Sequence, residues 1–297
     1  MHLECEMRRR SPFRIALSAG YWGAVFIMTA GWGTLLRAAP IEKASFPVSG
    51  DIESADIYYF PAQEPVKAVL VLCPGDNGNG RKLLEMAEWS DYANSNHVGL
   101  VGLSFVSKLQ DLNADRGYYR VEKQSGRMVL DAVDKVFGPH KPLLMYGFSG
   151  GAHFTSNFVT WSPHRVLAWC AYSAAWWDTP AKAGVPSPPG IIACGQLDTT
   201  RKDESYKYFK TCRVNGQRVT WICLPETGHE LSLPLENLVR SYFHEILVNT
   251  NNLSGLWYDV DKRQPVEVET AASWPTLYSW LPSENVAREW QSLHLSN

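Results

Sequence analysis

The sequence predicts an α/β fold: a mostly parallel central sheet covered by helices on both faces, followed by a tryptophan-rich C-terminal extension. Three observations carry that expectation. Apolar runs of strand length recur along the chain without polar alternation, as in strands buried on both faces. Segments with apolar residues at helical spacing lie between them, so successive strands are joined by crossover helices. One run, Pro142-Leu143-Leu144-Met145-Tyr146, leads directly into Gly147-Phe148-Ser149-Gly150-Gly151, a G-x-S-x-G pattern suited to a sharp strand-to-helix turn.

Taken in order, the chain opens with a segment unlike the rest. Within residues 1–38, Arg8-Arg9-Arg10 and Arg14 precede an uncharged stretch, 15–36, which Arg37-Ala38-Ala39-Pro40 closes. That is the layout of a signal peptide cleaved near Ala38 or of an N-terminal membrane anchor, and either exports the rest of the chain to the periplasm or beyond. Over all 297 residues the net charge is −2, and beyond the N-terminus the basic residues are dispersed. No basic stripe is present to track a phosphate backbone, which argues against nucleic acid as a partner.

Residues 39–250 read as one catalytic-size domain. Residues 55–60 form an early strand, and 67–73 form a fully apolar one ending in Pro74-Gly75. A helix over about 81–94 precedes the strand 98–105, and a helical pattern over about 120–136 precedes the strand that carries Ser149. A helix from 152 to 161 comes next, then strands 166–172 and 190–194, a helix near 204–214, the strand 219–224 and a helix near 234–248. Residues 251–297 change in texture to polar turns with Trp257, Trp274, Trp280 and Trp290 and a short helical pattern over 284–290. We read them as an extension packed on the domain.

There are six cysteines; loss of Cys5 with a cleaved leader leaves an odd count and therefore a free thiol. Cys73, Cys170, Cys194 and Cys223 sit in strand-like apolar runs, where cysteine is normally a small buried hydrophobe. Cys212 with Cys223 is the one pair that suggests a disulfide. No C-x-x-C and no H-E-x-x-H occurs and the eight histidines do not cluster, so no metal is expected.

A serine hydroxyl becomes a nucleophile when a base accepts its proton, and that base needs an acid to fix its tautomer. Gly195-Gln196-Leu197-Asp198 comes after the strand 190–194, and Glu226-Thr227-Gly228-His229-Glu230 comes after the strand 219–224. Ser149, Asp198 and His229 thus fall in that chain order at the carboxyl ends of predicted strands, where catalytic loops of such sheets gather. Asp198 could instead cap the next helix, Asp178 is a rival acid, and His153 reads as a packed residue of the helix after Ser149.

On these residues the chain resembles the α/β-hydrolase family, and more loosely its dienelactone-hydrolase and polymer-esterase members, over roughly residues 55–248. The resemblance implies Ser149 as nucleophile, Asp198 as acid and His229 as base, with no cofactor. It also implies an oxyanion hole made by the backbone N–H of Gly150 and one from the loop after an earlier strand. Most members have His-Gly in that loop; here it is Pro74-Gly75-Asp76-Asn77, and the second donor is Asp76, with Asn77 as alternative. The Asp76 carboxylate should face away from a developing oxyanion.

The loop Gly75-Asp76-Asn77-Gly78-Asn79-Gly80-Arg81-Lys82 nearly spells a phosphate loop, but Arg81 and Lys82 replace its lysine and hydroxyl. Trp176 and Trp177, in the proline-rich connection after strand 166–172, are candidates to hold substrate by their aromatic faces. The expected activity is that of an exported serine hydrolase acting on a small or polymeric carboxylic ester. The alternatives are a serine peptidase of prolyl-oligopeptidase type and a non-catalytic exported binding protein with the same fold.

Overall fold

A computed structural model describes residues 40–61, 65–108, 117–250 and 252–293. The N-terminal segment read as a leader, 1–38, lies outside them.

Eight strands form one sheet in the order β1-β2-β4-β3-β5-β6-β7-β8. They are β1 (Glu42–Ser45), β2 (Ile52–Tyr59), β3 (Ala68–Cys73), β4 (Val98–Ser107), β5 (Leu143–Phe148), β6 (Val166–Tyr172), β7 (Gly190–Gly195) and β8 (Val219–Leu224). β1, β2 and β4 pair antiparallel, whereas β4-β3-β5-β6-β7-β8 run parallel. The parallel strands read as unbroken apolar runs because both of their faces are covered. On β3, Val69, Val71 and Cys73 enter one apolar layer and Leu70 and Leu72 the other.

Helices α3 (Ser125–Phe137), α4 (Gly150–Trp161) and α5 (Thr199–Val214) supply the first layer with Val129, Val133, Phe154, Phe158 and Phe209. The opposite layer takes Leu83 and Leu84 of α1 (Gly80–Leu84), Trp89 of α2 (Ala87–Asn96), and Leu238, Tyr242 and Phe243 of α6 (Leu233–Val248). The helix expected over 81–94 is therefore two helices. Glu85 caps α1 and Met86 is extended (φ −73, ψ 118), yet the apolar period survives because Leu83, Leu84 and Trp89 all face one layer. α5 begins at Thr199, earlier than its apolar pattern suggests, since its first turn is polar and solvent-facing.

Cys212 and Cys223 are separate thiols, which corrects the suggested disulfide. Cys212 is buried on α5, while Cys223 lies on β8 beside Cys194 of β7.

The extension adds β9 (Leu256–Asp259), β10 (Pro265–Val266), α7 (Val268–Ser273), β11 (Tyr278–Leu281) and α8 (Glu284–Ser292). Its three strands make a separate antiparallel sheet in the order β10-β9-β11. This small sheet closes the β8 edge of the large one through side chains. Trp221 N–H donates to Ser279 Oγ at 2.9 Å, Trp290 Nε1 donates to Trp221 O at 2.9 Å, and the Thr220 hydroxyl donates to Trp280 O. An unpaired edge strand is a template for aggregation, and here both backbone groups of Trp221 have partners in the extension.

Candidate active site

Ser149 stands at the junction of β5 and α4 with φ 53 and ψ −115, a backbone region costing a non-glycine residue about 1–3 kcal/mol. Close packing imposes that turn and explains its two flanking glycines. A methyl group on Gly147 would lie 2.1 Å from Gly151 O, and one on Gly151 would lie 2.0 Å from Cys73 O. Ser149 N–H donates to Tyr172 O at 2.8 Å, which holds the turn to β6.

The loops after β7 and β8 are tied together. Leu197 N–H donates to Thr227 O at 2.9 Å, Gln196 N–H to Leu224 O at 2.8 Å, and the Tyr172 hydroxyl to Glu230 O at 2.5 Å. These contacts bring three side chains into one chain of hydrogen bonds: His229 Nε2 lies 2.9 Å from Ser149 Oγ, and His229 Nδ1 lies 2.7 Å from Asp198 Oδ2. Phe148 stacks on the imidazole with ring centres 5.0 Å apart. Asp198 occupies the N-cap position of α5 but makes no side-chain cap. Its carboxylate is given to His229 and, through the other oxygen, to Arg201 Nη1 at 3.0 Å. Asp178 is exposed on the connection from β6 to β7, and the acid at His229 is Asp198.

Gly150 is the first residue of α4, so its N–H has no carbonyl one turn earlier to bind. The loop after β3 closes over it. A methyl group on Gly150 would stand 2.6 Å from Asp76 N and 2.8 Å from the Tyr119 hydroxyl, and one on Gly75 would stand 3.7 Å from Ser149 Cβ. The Asp76 carboxylate accepts the Tyr119 hydroxyl proton at 2.5 Å. Asn77, at φ 52, spends its side chain on Ser107 N–H at 2.9 Å, and Asn79 caps α1 through Arg81 N–H at 3.0 Å. The near-phosphate loop is thus built into the scaffold beside Ser149.

No family model and no curated protein matches the sequence. Solved structures do match. Thermogutta terrifontis esterase 2 phosphorylated by paraoxon aligns with TM-score 0.54 at 14% identity, over 73% of this chain and 97% of that one. An α/β-hydrolase enzyme from a Medee basin deep-sea metagenome library aligns with TM-score 0.53 at 14% identity, over 70% and 98%. LpqC, a poly(3-hydroxybutyrate) depolymerase from Bordetella parapertussis, aligns with TM-score 0.50 at 12% identity, over 79% and 94%. The chain has the α/β-hydrolase fold.

Within that α/β-hydrolase frame the two tryptophans part company. Trp176 stacks on His153 with ring centres 3.5 Å apart and meets the Tyr119 ring edge-on at 5.7 Å, so it flanks the Asp76 loop. Trp177 turns to α5 instead, stacking on Tyr208 at 4.3 Å and donating from Nε1 to Ser205 Oγ at 3.2 Å. His153 is buried, its Nε2 accepts from Ala175 N–H at 3.2 Å, and burial pushes its imidazole down to about 3. Its Nε2 is taken by Ala175 N–H, and the imidazole hydrogen-bonded to Ser149 Oγ is that of His229.

Arg201 and Tyr119 were not legible as site residues. Arg201 lies one helical turn beyond Asp198, a spacing that could have marked it. Tyr119 is carried by a 3₁₀ turn, Gly117–Tyr119, and nothing in its sequence neighbours points to Asp76. Among the described residues, no group of three or more His, Cys, Asp or Glu could hold a metal ion, and no helix is long and apolar enough to cross a membrane.

Proposed function

We propose that the protein is an exported serine hydrolase that cleaves a carboxylic ester, small or polymeric, through an acyl-enzyme. The observation that carries this reading is His229 bridging Ser149 Oγ at 2.9 Å and Asp198 Oδ2 at 2.7 Å. Ser149 Oγ attacks the ester carbonyl as His229 Nε2 takes its proton, and Asp198 stabilises the resulting imidazolium. The oxyanion is met by the N–H groups of Gly150 and Asp76, beside the positive end of α4. His229 then gives its proton to the leaving alcohol. Water, deprotonated by the same imidazole, releases the acid and restores Ser149.

A fold shared with an esterase and with a poly(3-hydroxybutyrate) depolymerase supports an ester as the bond cleaved. The edge-on contact of Trp176 with Tyr119, whose hydroxyl holds Asp76, supports a role for its ring in contacting the acyl or alcohol group. Export rests on the arginines, the uncharged stretch and the Arg37-Ala38-Ala39-Pro40 closure of the N-terminal segment, which would either be cleaved or anchor the enzyme to a membrane.

Ser149→Ala should abolish hydrolysis of short p-nitrophenyl esters and labelling by a fluorophosphonate while leaving the melting temperature near native. A native protein inert to both reagents would make it a binding protein on a hydrolase scaffold, and faster turnover of amides than of esters would make it a peptidase.

A further inference from the structure

We propose that Tyr119 is a positioning residue for the oxyanion hole: its hydroxyl, by holding the Asp76 carboxylate, aims the Asp76 N–H at the reacting carbonyl and keeps the negative charge turned away from it. The inference rests on the ester-hydrolase reading and adds to it a residue outside the triad.

Asp76 brings a charge close to where it is least welcome. Its backbone N–H lies against Gly150, where an oxyanion would form, and its own carboxylate is only a few bonds away. A free carboxylate turned inward would oppose the developing charge at short range, because the Asp76 backbone lies against Gly150. A donor that captures the carboxylate removes that conformer and fixes the peptide it belongs to. Tyr119 does this by donating its hydroxyl to Asp76 Oδ1.

Tyr119 is itself locked, which a positioning role requires. The residue is buried, and its ring meets Tyr118 at 4.4 Å, His153 at 5.5 Å and Trp176 at 5.7 Å. Its carbonyl accepts from Asn157 Nδ2 at 3.0 Å and from Val121 N–H at 2.9 Å. The preceding residue is pinned as well, with Tyr118 N–H on Ser107 Oγ at 3.3 Å and Tyr118 O on the Ser125 hydroxyl at 2.6 Å. Burial, then the Tyr118 and Asp76 neighbours, hold the Tyr119 phenol well above its ordinary value, so it remains a donor across the working pH range. The loop is also closed by Gly78 N–H on Gly75 O at 2.9 Å and fastened on its far side by Asn77 on Ser107 N–H. Within that turn, Tyr119 holds the Asp76 side chain.

The test is steady-state hydrolysis of p-nitrophenyl butyrate by the native chain and by Tyr119→Phe, Asp76→Ala, their double variant and Asp76→Asn, with a thermal melt of each. Misplacing a reacting group by a fraction of an ångström to 1 Å costs up to about a hundredfold in rate, so each single variant should lose on the order of tenfold in kcat with KM little changed. Because the two act through one hydrogen bond, the double variant should fall no further than either single one. Asp76→Asn, which keeps an acceptor for the phenol and drops the charge, should lose less than Asp76→Ala. If Tyr119→Phe does not fold, the ranking of Asp76→Asn above Asp76→Ala decides. Native kcat in Tyr119→Phe, losses that multiply in the double variant, or equal losses in the two Asp76 variants would overturn the inference and leave the hydrolase reading standing. A native chain that neither turns over ester nor labels at Ser149 removes both.

Discussion

Arg201 Nη1 stands 3.0 Å from Asp198 Oδ1, on the carboxylate oxygen that His229 does not use. The carboxylate is therefore held from two sides, by the imidazole that the proposed mechanism uses to move protons and by a guanidinium that it does not use. The Asp198 side chain is only 6% exposed, so its plane is set by these two partners and not by solvent. Arg201→Met removes the stationary one. It should lower kcat about tenfold by loosening the orientation of His229, with little change in KM. Unchanged turnover would mean that the start of α5 alone orients Asp198.

Trp176 and Trp177 are neighbours in sequence with opposite duties. Trp177 is spent on Tyr208 and Ser205, so Trp177→Ala should lower the urea midpoint of unfolding and leave kcat/KM of the folded enzyme near native. Trp176 leans on His153 and Tyr119 beside the site, so Trp176→Ala should raise KM for bulky esters more than for acetates. Kinetics across an acyl-length series separates the two; identical profiles for both variants would refute the division.

His153 makes folding sensitive to acid. Burial, the largest influence, lowers its imidazole to about 3 from an ordinary value of 6.5. As pH falls from 6.5 toward 3, the unfolded chain binds a proton that the folded chain refuses, so stability present above 6.5 is progressively lost. The loss amounts to a few kcal/mol, roughly, for a shift of this size. Replacing the ring by an amide removes that titration. Urea midpoints measured at neutral pH and at about pH 4.5 should therefore drop less in His153→Gln than in the native protein, once the carboxylates common to both are subtracted. Parallel drops would assign the acid sensitivity elsewhere.

How much of this is legible in the sequence depends on where each signal resides. β6 and β8 are readable to the residue, because Arg165 and Arg218 end the polar segments before them and both strand faces are apolar. The order of Ser149, Asp198 and His229 is readable because parallel strands deliver their loops to one rim of the sheet. β1, Glu42-Lys43-Ala44-Ser45, carries no apolar pattern and exists only by pairing with β2. The strands of the extension are too short to show a period of two, and their sheet depends on contacts with β8. Trp177 could not be told from Trp176 by sequence, since which way each ring turns is decided by α5. The partnership of Tyr119 with Asp76 spans 43 residues and reflects packing alone.

The extension should be inseparable from the stability of the domain with the α/β-hydrolase fold, and Trp290 is where that dependence concentrates. Its ring is completely buried, Arg263 lies over it at 3.9 Å, and its indole N–H supplies the donor for Trp221 O on the β8 edge. Trp290→Ala both opens a cavity and strips a partner from that edge. Large-to-small changes at such sites cost about 3–5 kcal/mol, with about 1–3 kcal/mol more when a buried carbonyl is left unpaired. Trp290→Phe keeps most of the volume and loses only the donor, so its cost should fall well below that of the alanine variant. Chemical denaturation of the two, alongside light scattering for association through the bared β8 edge, measures both parts. An alanine variant with native stability would show that the extension merely rests on the sheet.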